Sequence, residues 1–169
     1  MDRDQALPSL ASTADNPGVG YLLGVAHRAR RRAWEADLAD LGLTAPQSAV
    51  LRLLAARPGA GVRWLSRALV TDPMNVQRIA MTLLAAGFCE VRPDPDDGRR
   101  RPLHLTDAGQ RLAALVTTRA EDAERRLVTR LGAREYAALT TGLRRLLELE
   151  RSANAHPSAA SPAGPRVSG

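Results

Sequence analysis

Arg99, Arg100 and Arg101 follow directly on Asp96-Asp97-Gly98, and what that juxtaposition can do is electrostatic. A guanidinium is a planar, permanently charged fork that meets phosphate and carboxylate oxygens two at a time. It is also slim enough to enter a narrow nucleic-acid groove, where negative potential is concentrated. The stretch from Asp94 to Pro102 holds two prolines, three aspartates and a glycine, so it is a loop and neither a helix nor a central strand. On either side the residues alternate: Phe88-Cys89-Glu90-Val91-Arg92 before it, Leu103-His104-Leu105 after it. Two short strands joined by a protruding loop make a hairpin finger with cations on its descending arm. Such a finger can reach into a polyanion. Alternation lets only one of Arg100 and Arg101 point with Arg99.

A second set of reactive edges lies upstream. Asp72-Pro73 is a strong helix start, with aspartate as cap and proline in the first turn, and Gly87 follows the end of a pattern over residues 73–86. Val76, Ile79, Ala80 and Leu83 form the buried face of that helix. Met74, Asn75, Gln77, Arg78 and Met81 therefore project outward. Asparagine and glutamine can pair two-handed with adenine, and arginine with guanine. The elements that must hold this helix precede it. Residues 63–70 read as a short helix offering Leu65 and Leu69 to a core, with Arg63 and Arg67 outside as phosphate clamps. Thr44 and Gln47 have capping-box spacing at the head of a helix that runs to about Ala56 and turns Val50, Leu51, Leu53 and Leu54 inward. That helix N-terminus is a further phosphate contact. Val62, a single extended residue, is expected to pair beside the hairpin.

Helix, turn, helix and basic hairpin is the order of a winged helix-turn-helix. With Leu83 and Gly87, Arg92-Pro93-Asp94-Pro95-Asp96-Asp97-Gly98-Arg99, and Leu105-Thr106 with Gly109, the chain resembles the MarR (multiple-antibiotic-resistance regulator) family over roughly residues 21–150. The resemblance implies a mostly α (α+β) fold: a winged helix-turn-helix DNA-binding lobe at about 44–105 and a dimerisation region of long helices at about 21–41 and 106–151. It implies a homodimeric, bacterial and cytoplasmic repressor that binds palindromic double-stranded DNA and associates with the nucleoid when bound. It pairs Asp97 with Arg99 in the wing, the carboxylate orienting the guanidinium that enters the minor groove. It also implies a small aromatic or acidic effector, for which His27, Arg30, Trp34 and Trp64 are candidate contacts. Three places depart from the family pattern. Trp64 stands where the family has something small or polar. Met74-Asn75 replaces serine or threonine, and Met81-Thr82 replaces charges. The operator of this chain therefore cannot be borrowed from its relatives.

Residues 1–20, with Pro8, Pro17, Gly18 and Gly20, are expected to be a flexible N-terminal arm, and residues 152–169 a disordered tail of Ala, Ser, Pro and Gly. Between them three further helices are expected. The first, Tyr21 to about Leu41, carries a stripe of Leu22, Val25, Ala26, Ala29, Ala33, Ala36 and Ala39. Its Arg28, Arg30, Arg31 and Arg32 form either a solvated face offset by Glu35, Asp37 and Asp40, or a contact for phosphate or an acidic ligand. The second, capped by Thr106, runs to about Arg130. The third, Ala133 to about Arg151, aligns Tyr136, Leu139, Leu143, Leu146 and Leu147. Their apolar stripes exceed what a lobe of about fifty residues can cover, and an isologous pairing of two copies would bury them.

Composition narrows the classes. Hydrophobic content of 44% with 3% aromatic residues favours helices, and no apolar run reaches membrane-spanning length. All 24 cationic residues are arginine and the net charge is +6. One cysteine, Cys89, excludes an internal disulfide and reads as a buried structural thiol. No metal-ligand spacing and no cofactor motif is present. There is no nucleophile–base pair, no paired carboxylate in an apolar setting and no phosphate loop, so an enzyme is not expected. The rival reading is a winged-helix dimerisation or interaction module that does not bind DNA.

Overall fold

A computed structural model describes residues 17–93 and 101–155. The expected arm up to residue 16, the hairpin tip at 94–100 and the tail from residue 156 lie outside the described residues. The order is α1 (Val19–Leu38), α2 (Ala45–Ala56), α3 (Val62–Leu69), α4 (Pro73–Ala85), β1 (Cys89–Val91), β2 (Leu103–Leu105), α5 (Asp107–Leu131) and α6 (Ala133–Ala155). The chain falls into two compact units, one reaching to Glu121 and one from Asp122 onward. Among the described residues no helix is long and apolar enough to cross a membrane.

The first unit is organised around a core to which each of its elements contributes. Leu38 comes from α1, Val50, Leu51 and Leu54 from α2, Leu65 from α3, and Val76, Ile79, Ala80 and Leu83 from α4; Leu43, Ala60, Cys89, Leu103, Leu105, Ala113 and Val116 complete it. Local chemistry sets the boundaries. α1 ends in a single 3-10 turn, Ala39–Leu41, which Gly42 closes in the left-handed conformation at φ +62°. Thr44 caps α2 through a reciprocal box: its hydroxyl accepts from the Gln47 amide, and its own amide donates to Gln47 Oε1 at 2.8 Å. Asp72 caps α4, its carboxylate accepting from the Asn75 amide at 2.8 Å. Gly87, at φ +73°, lets Phe88 N donate to Leu83 O and so ties off the helix before the strand.

The strands are antiparallel, with Cys89 opposite Leu105, Glu90 opposite His104 and Val91 opposite Leu103. The residue that extends this ribbon is Ala60, bridged to Leu103, and not Val62 as expected. The reason is the start of α3: Gly61 already serves as its N-cap, so Val62 is helical. Thr106 links strand to helix. Its hydroxyl donates to Gly87 O at 2.7 Å and accepts from the Gly109 amide at 3.1 Å. Gly109 is required for a different reason. A Cβ there would lie 1.9 Å from Phe88 O, so only glycine lets the first turn of α5 come this close to β1.

Arg119 of α5 makes the longest-range polar contact in this unit. Its guanidinium holds both carboxylate oxygens of Asp40, at 2.5 and 2.7 Å, and the carbonyl of Asp37 at 2.6 Å. The same pairing keeps the Asp40 carboxyl below the usual carboxylate range.

In the second unit, the Tyr136 hydroxyl donates to the Glu124 carboxylate. α6 continues to Ala155, four residues into the expected tail. None of its expected stripe is buried: Leu139 and Leu147 are exposed, and Tyr136, Leu143 and Leu146 are half-buried. α1 behaves alike. Ala26, Ala29, Ala33 and Ala36 are exposed, and only Leu38 is buried.

Candidate nucleic-acid interface

α4 presents two faces of opposite character. Val76, Ile79, Ala80 and Leu83 are at most 7% exposed. Met74, Gln77, Arg78 and Met81 are exposed on the far side, with Asn75 half-exposed beside them. All four expected core residues and all five expected surface residues lie where the periodicity puts them. The polar pair is pre-assembled: Asn75 Nδ2 donates to Thr71 Oγ1 at 3.1 Å, and Asn75 Oδ1 accepts from Arg78 Nη2 at 2.9 Å. Arg78 is thereby aimed by its neighbour, and Asn75 must give up a bond before it can read a base edge with both hands.

The helices behind α4 bring other expected contacts to the same side. Thr44, Gln47, Asn75 and Arg78 line one cleft of about 240 Å³, together with Arg31 and Glu35 of α1. Gln47 Oε1 is occupied by the cap, which leaves its amide nitrogen as the outward donor. Arg31 is paired with Glu35 at 2.8 Å one helical turn away. Of the four α1 arginines, Arg31 reaches this cleft, which spacing along one helix could not reveal. Arg63 and Arg67 are exposed on α3. The turn between α3 and α4 contains the only non-glycine residue with positive φ among the described residues, Val70 at φ +50° and 86% exposed.

Of the finger, Arg101 is described and exposed, while Asp97, Arg99 and Arg100 lie outside the described residues. At the base of the ribbon, Arg92 pairs with Glu90 at 2.7 Å. Arg92 and His104 face Leu54, Leu105, Ala113 and Gln110 across a cavity of about 610 Å³.

The sequence profile of the MarR family matches residues 43–100. The HTH-type transcriptional repressor Rv2887 of Mycobacterium tuberculosis is 32% identical over 120 residues, covering 71% of this chain and 86% of the repressor. The chain belongs to the MarR family. Members of the family are transcriptional regulators, so the chain is a regulator and not an enzyme. Crystal structures of Rv2887 agree in fold. Its DNA complex matches with a TM-score of 0.62 at 27% identity, over 78% of this chain and 98% of that one. Its salicylic acid complex matches with a TM-score of 0.64 at 30% identity, over 79% and 99%. BpsR of Bordetella bronchiseptica, whose DNA binding is regulated by 6-hydroxynicotinic acid, matches with a TM-score of 0.72 at 25% identity, over 79% and 96%.

Within this MarR fold, the four residues expected to meet an effector do not line either cavity described above. His27 and Arg30 are exposed on α1. Trp34 Nε1 donates to Ser48 Oγ at 3.0 Å, which in turn donates to Ala45 O at 2.8 Å. Trp64 packs against the core with the Arg57 guanidinium 4.8 Å above its ring, so of the roles open to it, core cover is the one it fills. Sequence reasoning missed the Arg92–His104 convergence because Arg92 follows the end of β1 and His104 lies on β2, on opposite sides of a long loop. Cys89 is buried, and desolvation pushes its thiol up to about 11.

Proposed function

We propose that this chain is a homodimeric repressor that binds a palindromic double-stranded operator sequence-specifically and is released from it by a small aromatic acid. The observation that carries the reading is α4: a helix anchored on one face by four core residues, with an aimed Arg78 and four further side chains presented on the other. Arg31, Arg63, Arg67 and the capped start of α2 serve as phosphate contacts around it. Asp97 and Arg99 form the minor-groove element of the wing, flanked by Arg100 and Arg101. The protein works in the bacterial cytoplasm, on the nucleoid.

Dimerisation is supported by the side chains the chain leaves bare: Val19, Tyr21 and Leu22 on α1, and Leu139, Leu147 and Leu149 on α6. A second copy burying them sets two α4 helices about one DNA turn, roughly 34 Å, apart. The cavity between α2, the ribbon and α5 suits an aromatic carboxylate, since it offers an apolar wall together with the Arg92 guanidinium and the His104 imidazole. The salicylic acid complex of Rv2887 and the regulation of BpsR by 6-hydroxynicotinic acid support an effector of that class.

The test is fluorescence anisotropy on duplex from the gene's own upstream region, with Arg99→Ala alongside. Tight, sequence-preferring binding is expected, weakened at least tenfold in the variant. A dimer contacting about six to ten phosphates should lose about 10³–10⁵ in affinity between 50 and 200 mM salt. Salicylate should release the duplex from the wild type and not from Arg92→Ala. Absence of any preference, both here and in selection from random duplex, would favour a DNA-free interaction module.

A further inference from the structure

The outermost line of α4 is apolar, and this is unexpected on a polar reading face. Around the helix axis at 100° per residue, Val76, Ile79, Ala80 and Leu83 centre on one direction, and Met74 and Met81 lie almost diametrically opposite. They are seven residues apart, two turns, on a single stripe. Met74 is 80% exposed and Met81 60%. Gln77 and Arg78 sit between them and to either side. Nothing in the described chain covers either methionine.

Val70 adds to this at the start of the helix. A β-branched residue in the left-handed region is strained, and this one is 86% exposed, so packing returns nothing for the strain. Val70 is thus a further bare apolar side chain, in the turn that precedes α4.

The major groove contains one apolar group, the C5-methyl of thymine. A thioether side chain is flexible and polarizable and fits an isolated methyl closely. Seven residues of helix span about 10.5 Å, and base pairs are about 3.4 Å apart. The two methionines therefore match methyls about three steps apart, with Gln77 and Arg78 over the pairs between.

We infer that Met74 and Met81 determine specificity by contacting two thymine methyl groups about three base steps apart in each half-site. The inference rests on the DNA-binding reading above and adds the chemistry that is read. Burying one methyl is worth about 0.8 kcal/mol, which is about fourfold in affinity.

The experiment selects an operator from a random duplex library with the full chain, then replaces each thymine in turn by deoxyuridine, which removes the methyl and keeps the pairing. Affinities are measured for the wild type, Met74→Ala, Met81→Ala and Arg99→Ala. Two positions about three steps apart should each cost the wild type about fourfold. Met74→Ala should abolish the effect at one, Met81→Ala at the other, and Arg99→Ala should change neither. Both methionines are exposed, so folding is not at stake. If a selected operator binds tightly but deoxyuridine costs nothing, or costs the same in all four proteins, the methyl-reading role is wrong and the regulator stands. If selection enriches no sequence at all, the regulator reading falls and this inference with it.

Discussion

The α2–α4 lobe and the helices α1 and α6 handle apolar residues in opposite ways. In the lobe, every helix sends side chains into a core within its own chain: Leu51, Leu54, Leu65 and Val76 are at most 1% exposed, with Leu53 and Leu69 half-buried against it. α1, over twenty residues, buries one side chain, and α6 buries none among its described side chains. Both patterns have helical periodicity. The difference is that the lobe encloses its core within one chain, while the long helices carry apolar faces that nothing among the described residues encloses. A sequence stripe says that something will be covered. It does not say by what.

Four substitutions or conditions can break that comparison, in decreasing order of effect on a single chain. Leu51→Ala should cost about 3–5 kcal/mol, because the methylenes lost are wholly enclosed and a cavity remains; denaturant unfolding measures it, and a loss below 1 kcal/mol would mean that the lobe is not packed as described. Next comes pH. Cys89 has an ordinary pKa of 9.0 and is raised to about 11 by burial. The folded state holds this proton more tightly than the unfolded one. Its contribution, about 2–3 kcal/mol for a shift of two units, is present below about pH 9 and is lost as pH rises through about 11. With no lysine and only two tyrosines in the chain, the alkaline window is nearly clear. The difference between pH 8 and pH 11 should shrink in Cys89→Ala by that amount. Gly109→Ala comes third, at about 1–3 kcal/mol, since the added methyl must push α5 off Phe88 O; a melting temperature within a degree of wild type would count against the close approach. Smallest within one chain is Leu147→Ala, with under about 0.5 kcal/mol expected for an exposed site. Its effect should appear in light scattering instead, as a shift from dimer toward monomer. A Leu147 variant that lowers stability and leaves the mass unchanged would erase the distinction between the two regions.

Much of the lobe was legible in the sequence because its signals are local. Asp72-Pro73, the Thr44–Gln47 box and Gly87 each act within a few residues, and the structure uses each as read. The four core residues of α4 follow from period alone. What could not be read depends on contacts far apart in the chain. Arg119 meets Asp40 across 79 positions, and Ser48 is buried because Trp34 needs an acceptor. Arg92 and His104 face one cavity from opposite arms of the hairpin. Ala60 takes the bridge expected of Val62 because Gly61, with no side-chain cap to advertise it, starts α3 one residue early. On α1, the alanines that looked inward are exposed, since periodicity identifies a face and not its cover. The wing tip that first drew attention, with Asp97 and Arg99, lies outside the described residues; its role rests on sequence and family.

The chain's single thiol has a practical consequence. Cys89 is enclosed and stays protonated across the neutral range, so it should ignore maleimides that attack exposed thiolates within minutes. The native protein is therefore already a blank background for site-directed labelling. A spin label on a cysteine introduced at Ala85, exposed at the far end of α4, would give one probe per chain, and pulsed dipolar spectroscopy on a pair of chains would measure the recognition-helix separation directly, with and without duplex.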